Sequence, residues 1–525
     1  MGVEKKFPSL DRVGENPWSR VGVCPFEAPG FTGRRLEFSS WEVLRLTRFA
    51  IAILLVSSLF CPVYAQVQPL FFGLHQNRYQ RGEPWPTLPF GIRRTVSDFV
   101  KWSDIETCPG GPDPGDPCYH WGRNKSSGNL DQVVNDSYQH GVPVMFTFYN
   151  TPEWASSRGQ RCKGKGVPDA VCVGPADDEC GWTGGCDPPT DLDAQPGSGE
   201  GDGTDKAFKD FVTAMVKRYG NKIKYWEVWN EAPNIISANP QYWTYKQWAR
   251  MTKDMHDIVK AAIPDAVILS ANTCGCTPKG SADPREWTDG YFAALEKYGP
   301  SVVDVLSYHG YVGNAKYPER VYEIINELNR IKNNHSSTRG KPIWDTENSW
   351  GGGGQLENFD GSPDWSKRNS FLARSLILTA SKGVMGYIYY GWDLRNSGEL
   401  WDADKKTGCT TPNKDGKPGF LCPTAVVWTQ TRDWLLGASF DQACDSDKKM
   451  LGTIWTCDFS KNNGKIQGRF AWYVSLVGEG TTSYSPGGNL ATVRALDGKT
   501  ISLTKSNASF DLGDQPVMIE TSAGK

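Results

Sequence analysis

The sequence predicts an α/β fold, a (β/α)8 TIM barrel followed by a small antiparallel β-domain. Short apolar runs alternate with longer amphipathic stretches between about residues 69 and 437, which argues a parallel sheet with crossover helices. The runs are apolar along their length, as strands buried on both faces should be, and about eight repeats fit a barrel with insertions better than an open sheet. The turn after the first strand, "GLHQNR", is not the glycine-rich phosphate turn of a doubly wound nucleotide-binding sheet.

The elements follow in order. "PLFFGLH" (69–75) reads as the first strand and "FGIRRTV" (90–96) as the second, with a short run "WSDIE" (102–106) behind it. "VPVMFTFYNTPEW" (142–154) is the third strand entering a loop, and a cysteine-rich insertion occupies 155–204. "DKAFKDFVTAMVKRYGN" (205–221) carries apolar residues at helical spacing and stops at Gly220-Asn221. The fourth strand is "IKYWEVWNE" (223–231), followed by a helix at 245–264 and the fifth strand at 266–272. A helix over 290–299 leads to the sixth strand, 302–311, and a helix at 319–334 to the seventh, 341–347. A helix at 366–383 leads to the eighth strand, 384–393, and a helix at 424–437, ended by Gly437, closes the barrel domain of residues 66–437. Residues 438–525 change to short alternating strands with Gly, Asp and Asn turns, Asp497-Gly498 marking a hairpin. Covering apolar barrel surface is preferred to sugar binding as the role of this β-domain.

Residues 1–65 read as a leader. Arg45 and Arg48, the apolar run Phe49 to Phe60 and Val63-Tyr64-Ala65 before Gln66 form the charged start, apolar middle and cleavage site of a secretory signal peptide. The apolar run is shorter than a membrane span of ~20 residues, and bulky Phe60 ahead of Cys61 speaks against a lipoprotein. Residues 1–42 read as an over-extended translation start. The mature chain is then expected outside the cell or in a periplasm, free of the membrane once the signal is cleaved. Cysteine usage agrees. Of fourteen cysteines, Cys24 and Cys61 fall in the leader, and the even remainder suits disulfides. Cys108/Cys118, Cys409/Cys422 and Cys444/Cys457 are expected as local pairs. Cys162, Cys172, Cys180 and Cys186 crowd one loop, and Cys274 and Cys276 are too close for an easy mutual bond. No histidine stands at ligand spacing beside them, so neither a metal nor a cofactor is expected. The acidic loop 187–205 lacks EF-hand spacing and reads as solvated. A net charge of -2 offers no basic excess for nucleic acid or an anionic membrane. The 21 Trp imply a large core, and they are also what stacking on flat sugar faces requires. The sequence sets no oligomeric state.

Active sites of such barrels lie at the C-terminal ends of the strands. Two strands end in glutamate: the fourth in "VWNE", with Glu231, and the seventh in "WDTE", with Glu347. One such carboxylate is as readily a solvated group or a helix cap. Two on non-adjacent strands facing one mouth form the pair that glycosidic hydrolysis needs. One is protonated to help the leaving oxygen depart; the other is ionised to attack the anomeric carbon or activate water. Strand ends across a mouth can hold two carboxyls ~5 Å apart, the retaining geometry, and proximity separates their titrations.

Asn230-Glu231 ending the fourth strand and Glu347 ending the seventh resemble the pattern of the clan A glycoside hydrolases. "WEVWNEAPN" and "KPIWDTENSWG" look most like glycoside hydrolase family 39, which is β-xylosidase-like, and the resemblance covers about 69–437. It implies Glu231 as acid/base and Glu347 as nucleophile of a double displacement, with Asn230 on the sugar 2-hydroxyl. His309-x-Tyr311 matches a clan pattern in which Tyr311 orients the nucleophile and His309 lines the site. Trp392 matches an aromatic floor beneath the sugar, and Arg93, with Arg94 adjacent, a supporting arginine. His75 and Trp154 join the candidates because they follow strands one and three; a structural histidine and a tryptophan packed beneath the insertion are the plainer readings. Asp345 and Glu227 share the parity of their catalytic neighbours and are expected to pair with an arginine inside the barrel. Family members commonly read Asn-Glu-Pro-Asn, and here Ala232 intervenes.

The expected function is a secreted retaining β-glycoside hydrolase acting on oligo- or polysaccharides. An endo-acting hydrolase of another clan A family and a non-catalytic carbohydrate-binding barrel are the alternatives; the presence of both glutamates argues against the latter. A metal-dependent hydrolase would want several strand-end histidines, and the chain has six His in all. The insertion at the mouth suits exo and endo action equally. Four Asn-x-Ser sequons occur, at Asn124, Asn135, Asn334 and Asn507.

Overall fold

Eight parallel strands carry the fold: β1 Phe72–His75, β2 Ile92–Thr95, β3 Val144–Thr147, β4 Ile223–Glu227, β5 in two pieces, Val267–Leu269 and Thr273–Cys274, β6 Leu306–His309, β7 Ile343–Asn348 and β8 Gly386–Tyr390. The computed structural model describes residues 66–521 except 77–83, 97–99, 123–128, 158–186, 233–242, 275–283, 313–316, 352–355, 358–361, 394–397, 404–407, 414–417, 479, 488–489 and 505–507. The leader, Cys162, Cys172, Cys180, Cys186, Cys276 and the sequons at Asn124 and Asn507 lie outside the described residues. Around the sheet the order is β5-β4-β3-β2-β1-β8-β7-β6, and a parallel bridge from Leu269 to Val305, just before β6, brings its two ends together. This is the expected (β/α)8 barrel.

The lumen is filled in two layers. Ile92, Met145, Leu269, Val305, Trp344 and Ile388 form an apolar plug towards the strand N-termini. Gly73 has no room for more, since a β-carbon there would lie 2.7 Å from Ile388 and 2.9 Å from Ile92. Above the plug the same inward positions turn polar, with Arg94, Thr147, Glu227, His309 and Glu347, all buried. Alternation along a strand sets this: Ile92 faces inward, Arg93 outward and Arg94 inward again.

Among the described residues, helices follow seven of the strands: α1 Leu130–Gln139, α2 Lys206–Tyr219, α3 Tyr245–Ala262, α4 Pro284–Leu295, α5 Val321–Asn334, α6 Trp365–Ser381 and α7 Pro423–Leu435. α2 buries Phe208, Phe211, Val212, Met215 and Tyr219 on one face, the stripe its spacing predicts. α3 starts at a reciprocal Thr244/Gln247 capping box. α1 is not among the helices expected from sequence, and the run at 102–106 is a single helical turn, Trp102–Ile105. β4 stops at Glu227, so Glu231 stands beyond the strand rather than in it.

The C-terminal segment forms a six-stranded antiparallel sheet, Asp445–Lys449, Gly452–Lys461, Ile466–Ser475, Val517–Thr521, Leu490–Arg494 and Thr500–Ser502 in spatial order. Asp497-Gly498 turns between Leu490–Arg494 and Thr500–Ser502, with Gly498 at φ 83°. The sheet packs on α6, which is buried from Phe371 to Ser381. Glu319 ties them: its carboxylate accepts from Arg374 Nε (2.8 Å) and Nη2 (2.5 Å) and from Trp472 Nε1 of the sheet (2.7 Å). The three expected local disulfides are all present, Cys108–Cys118, Cys409–Cys422 and Cys444–Cys457. Each closes a short loop of the kind that limits the unfolded chain.

The Glu319 clasp gives a stability prediction. Glu319→Ala leaves the Arg374 guanidinium, whose side chain has 0% exposure, without its carboxylate. The loss should be about 3–5 kcal/mol, read as a lower urea midpoint with an unchanged m-value.

Candidate active site

The site is assembled on Arg94. Its guanidinium donates from Nε and Nη2 to Glu227 Oε2 (2.9 and 2.8 Å), from Nη1 to Glu347 Oε2 (2.6 Å) and from Nη2 to Asn230 Oδ1 (2.7 Å). Glu227 also accepts from Thr147 Oγ1 (2.7 Å). One buried cation therefore holds three strand ends, β2, β4 and β7. Burial alone would raise the Glu227 carboxyl, but Arg94, His309 and Thr147 together outweigh it and hold the group below the usual carboxylate range.

Glu347 reaches the lumen through an irregularity. Pairing with β6 runs Tyr308↔Asp345 and then His309↔Glu347, so β7 carries one extra residue at this point. Such a bulge re-aims the side chains beyond it: Trp344 faces inward, Asp345 outward, and Glu347 inward again. Asp345 accordingly does not meet an arginine, contrary to its expected pairing. It accepts from Gly310 N–H (2.9 Å) and Asn348 Nδ2 (2.8 Å), and burial pushes its carboxyl up to about 7 despite these bonds. The second oxygen of Glu347 accepts from Tyr311 Oη at 3.0 Å.

Glu231 is placed by a turn. Its φ is 44°, in the left-handed region, and its N–H donates to Asn272 Oδ1 (2.5 Å) while Asn272 Nδ2 donates to Trp229 carbonyl (3.0 Å). Asn272, which follows the first piece of β5, thus holds the turn in a conformation that costs a non-glycine residue ~1–2 kcal/mol. Ala232 fits the same geometry, because a proline there would push residue 231 towards extended backbone.

His309 lies between the two carboxylates, with Nδ1 2.9 Å from Glu231 Oε1 and Nε2 4.0 Å from Glu347 Oε2. Burial would lower its pKa, but Glu347 and Glu231 together outweigh this and raise it. Glu231, His309 and Glu347 present one ligand atom each within 4.8 Å of one another. That spacing would admit a cation, but Arg94 already places a positive charge 2.6 Å from Glu347. The side chains of Glu231 and Glu347 retain 14% and 11% exposure, whereas Arg94 and Glu227 retain none. The glutamates can meet a substrate and the pair behind them supports them. A second group, Glu399, Asp402 and Cys409, has its sulfur committed to the bond with Cys422.

The other expected residues divide. Asn230 and Tyr311 join the cluster directly. Arg93 does not: it faces outward, where Nη1 approaches Ser137 Oγ (3.3 Å) and Val133 carbonyl (3.4 Å) and the guanidinium lies over Trp85. Strand parity gives the supporting role to Arg94. His75 is buried at the end of β1, with Nε2 donating to Val96 carbonyl (2.9 Å) and its ring 4.6 Å from Tyr390; burial drives its pKa well down. Trp392 is buried with its ring parallel to Trp401 at 6.1 Å, so one face is covered by protein. Trp154 donates from Nε1 to Glu106 carbonyl (3.2 Å) and meets Trp102 edge-on, which is the packing role. The loop at 187–205 is not a solvated stretch. Asp193 accepts from Gly199 and Gly201 N–H and Gln247 Nε2, and Asp191 from Lys206 and Ala207 N–H.

No protein-family model matches the sequence, and no curated protein matches it. Among solved structures the chain is similar to a family 39 glycoside hydrolase from the gut symbiont Bacteroides cellulosilyticus WH2, with 16% identity over 87% of this chain and 81% of that one and a TM-score of 0.54. It is also similar to the catalytic domain of the family 30 xylanase C from Talaromyces cellulolyticus (12%, 88% and 98%, 0.52) and to an alpha-L-arabinofuranosidase from Thermotoga maritima (14%, 87% and 98%, 0.51). The structural neighbours are clan A glycoside hydrolases; at these identities the likeness is one of fold.

The two lumen histidines should titrate in opposite directions. In a histidine-labelled NMR titration, His75 should stay neutral well below the ordinary value of about 6.5, and His309 should hold its proton above it. By linkage, the stability from His309 is full below about 6.5 and is lost as pH rises through its raised folded value. His309→Phe should flatten that alkaline decline.

Proposed function

We propose that the chain is a secreted retaining β-glycoside hydrolase that cleaves oligo- or polysaccharides by double displacement. The observation that carries this is the approach of a Glu231 oxygen to a Glu347 oxygen within 4.8 Å. That separation suits direct attack by one carboxylate, whereas an inverting pair leaves ~6.5–9.5 Å for an intervening water. In the first step Glu231 gives its proton to the glycosidic oxygen as the bond to the anomeric carbon breaks. A Glu347 oxygen bonds to that carbon and forms a glycosyl ester. Glu231, now ionised, takes a proton from water; the water oxygen attacks the anomeric carbon and Glu347 leaves. Arg94 and Tyr311 hold Glu347 in its aim by donating to its two oxygens, His309 holds the Glu231 carboxyl through its shared hydrogen bond, and Asn230 meets the sugar 2-hydroxyl. The disulfides agree with an oxidising compartment outside the cytosol. A β-xylosidase-like activity on plant polysaccharide is the first substrate to test, on the family resemblance of the strand-end motifs.

Proton NMR of the first-formed product from an aryl β-glycoside should show the β-anomer; an initial α-anomer excludes double displacement. Glu231→Gln should lower kcat/KM about 10²–10⁴-fold on poor leaving groups and much less on dinitrophenyl glycosides, which depart without a proton. Glu347→Gln should abolish turnover of both, and unchanged turnover would end the assignment of the nucleophile.

A further inference from the structure

The proposed hydrolase reading leaves Asp345 with no part in the chemistry, although it stands two residues ahead of the nucleophile. It marks the bulge of β7, which registers against both neighbouring strands. On β6 the partners run Tyr308↔Asp345 and then His309↔Glu347; on β8 they run Asp345↔Tyr387 and then Asn348↔Tyr389. The extra residue therefore belongs to β7 itself.

A bulge interrupts the ladder, and its backbone groups must be satisfied by other means. Here the Asp345 carboxylate does this. The Gly310 N–H is shared between the Glu347 carbonyl (3.2 Å) and Asp345 Oδ1 (2.9 Å). Asn348 Nδ2 donates to Asp345 Oδ2 (2.8 Å) and approaches the Gly310 carbonyl (3.4 Å). One carboxylate thus spans the bulge and joins the end of β7 to the residue after β6. Gly310 makes room for it: a β-carbon there would collide with Asp345 Oδ2 and lie 2.6 Å from Asn348 Nδ2.

Gly310 sits between the two side chains that meet the glutamates. His309 Nδ1 shares a hydrogen bond with Glu231 (2.9 Å), and Tyr311 Oη donates to Glu347 (3.0 Å). Fixing the Gly310 peptide fixes the backbone from which Tyr311 leaves, and closing the bulge fixes the turn of chain that points Glu347 inward. The carboxyl is kept at a cost. It has no exposed surface, and the groups facing it are Tyr308 and His309 from β6, Tyr387 from β8 and Asn348, none of them a lysine or arginine. Burying an ionisable group in such surroundings is unfavourable, and an apolar residue would serve packing as well or better.

We propose that Asp345 is a positioning residue of the hydrolase: by closing the β7 bulge onto Gly310 it aims Glu347 and the Tyr311 hydroxyl that holds it. Asp345 meets neither the substrate nor the reacting atoms and acts through the backbone. The inference rests on Glu347 as the nucleophile.

The test measures kcat/KM on a dinitrophenyl and an alkyl glycoside, with the inhibition constant of the released sugar as the measure of binding, where circular dichroism shows each variant folded. Asp345→Ala should lose about 10–100-fold in kcat/KM on both glycosides, unlike Glu231→Gln, while the inhibition constant stays within about 3-fold. Asp345→Asn should recover most of the loss. Its amide oxygen can accept from the Gly310 N–H, and Asn348 can turn its own amide to accept from the new one, since Asn348 Oδ1 is buried without a partner among the described residues. Asp345→Ser, whose shorter side chain is drawn back from Gly310, takes the place of Asp345→Ala if that variant does not fold. A folded Ala or Ser variant with kcat/KM within about 2-fold of wild type overturns the proposal. So does an Asn variant no better than these, or a loss of activity matched by an equal loss of binding. Full turnover by Glu347→Gln instead overturns the hydrolase mechanism itself, and this proposal with it.

Discussion

Arg94 is the constraint on which the site depends. A guanidinium with no exposed surface lies between Glu227 and Glu347, and each partner would be unfavourable there without the other two. Two buried carboxylates repel, and an unpaired buried cation is costly to desolvate. Together they form a planar, multiply bonded arrangement for which arginine is suited and lysine is not. The barrel makes this possible because its strands deliver side chains from β2, β4 and β7 to one height in the lumen. The apolar plug beneath shields the cluster from water, which keeps the electrostatic coupling strong.

Beyond this cluster the glutamates are aimed by two local departures from regular structure. β7 admits an extra residue so that Glu347 faces the lumen, and the turn after β4 takes a left-handed residue at Glu231. Both place a reactive carboxyl where an uninterrupted strand would not. The support is polar and specific, from Asn272 on one side and Tyr311 on the other. Strain held by well-bonded neighbours is a common way to fix reacting groups.

The barrel was legible because its strands and amphipathic helices repeat, and the glutamates were legible because each interrupts an apolar run at a strand end. Arg94 was harder. Arg93 and Arg94 are adjacent, and only the register of β2 decides which faces inward. Asp345 was misplaced by parity for the opposite reason, since a bulge is invisible to a rule of strict alternation. Asn272 gave no sequence signal, because its role depends on a turn in another element. α1 escaped notice because "LDQVVNDSYQ" buries only Leu130, Val133, Val134 and Ser137, a narrow stripe. The Ala232 departure, read from sequence as a reshaped loop, matches the left-handed backbone of the residue before it.

The central claim is that Glu347 becomes covalently bonded to the sugar. Incubation with the dinitrophenyl 2-deoxy-2-fluoro analogue of a hydrolysed glycoside, followed by intact mass and peptide mapping, tests it directly. The account predicts a mass gain of one fluorosugar on the peptide containing Glu347, absent in Glu347→Gln. Attachment to another carboxylate, or slow turnover of the analogue that releases the inverted sugar, would contradict it.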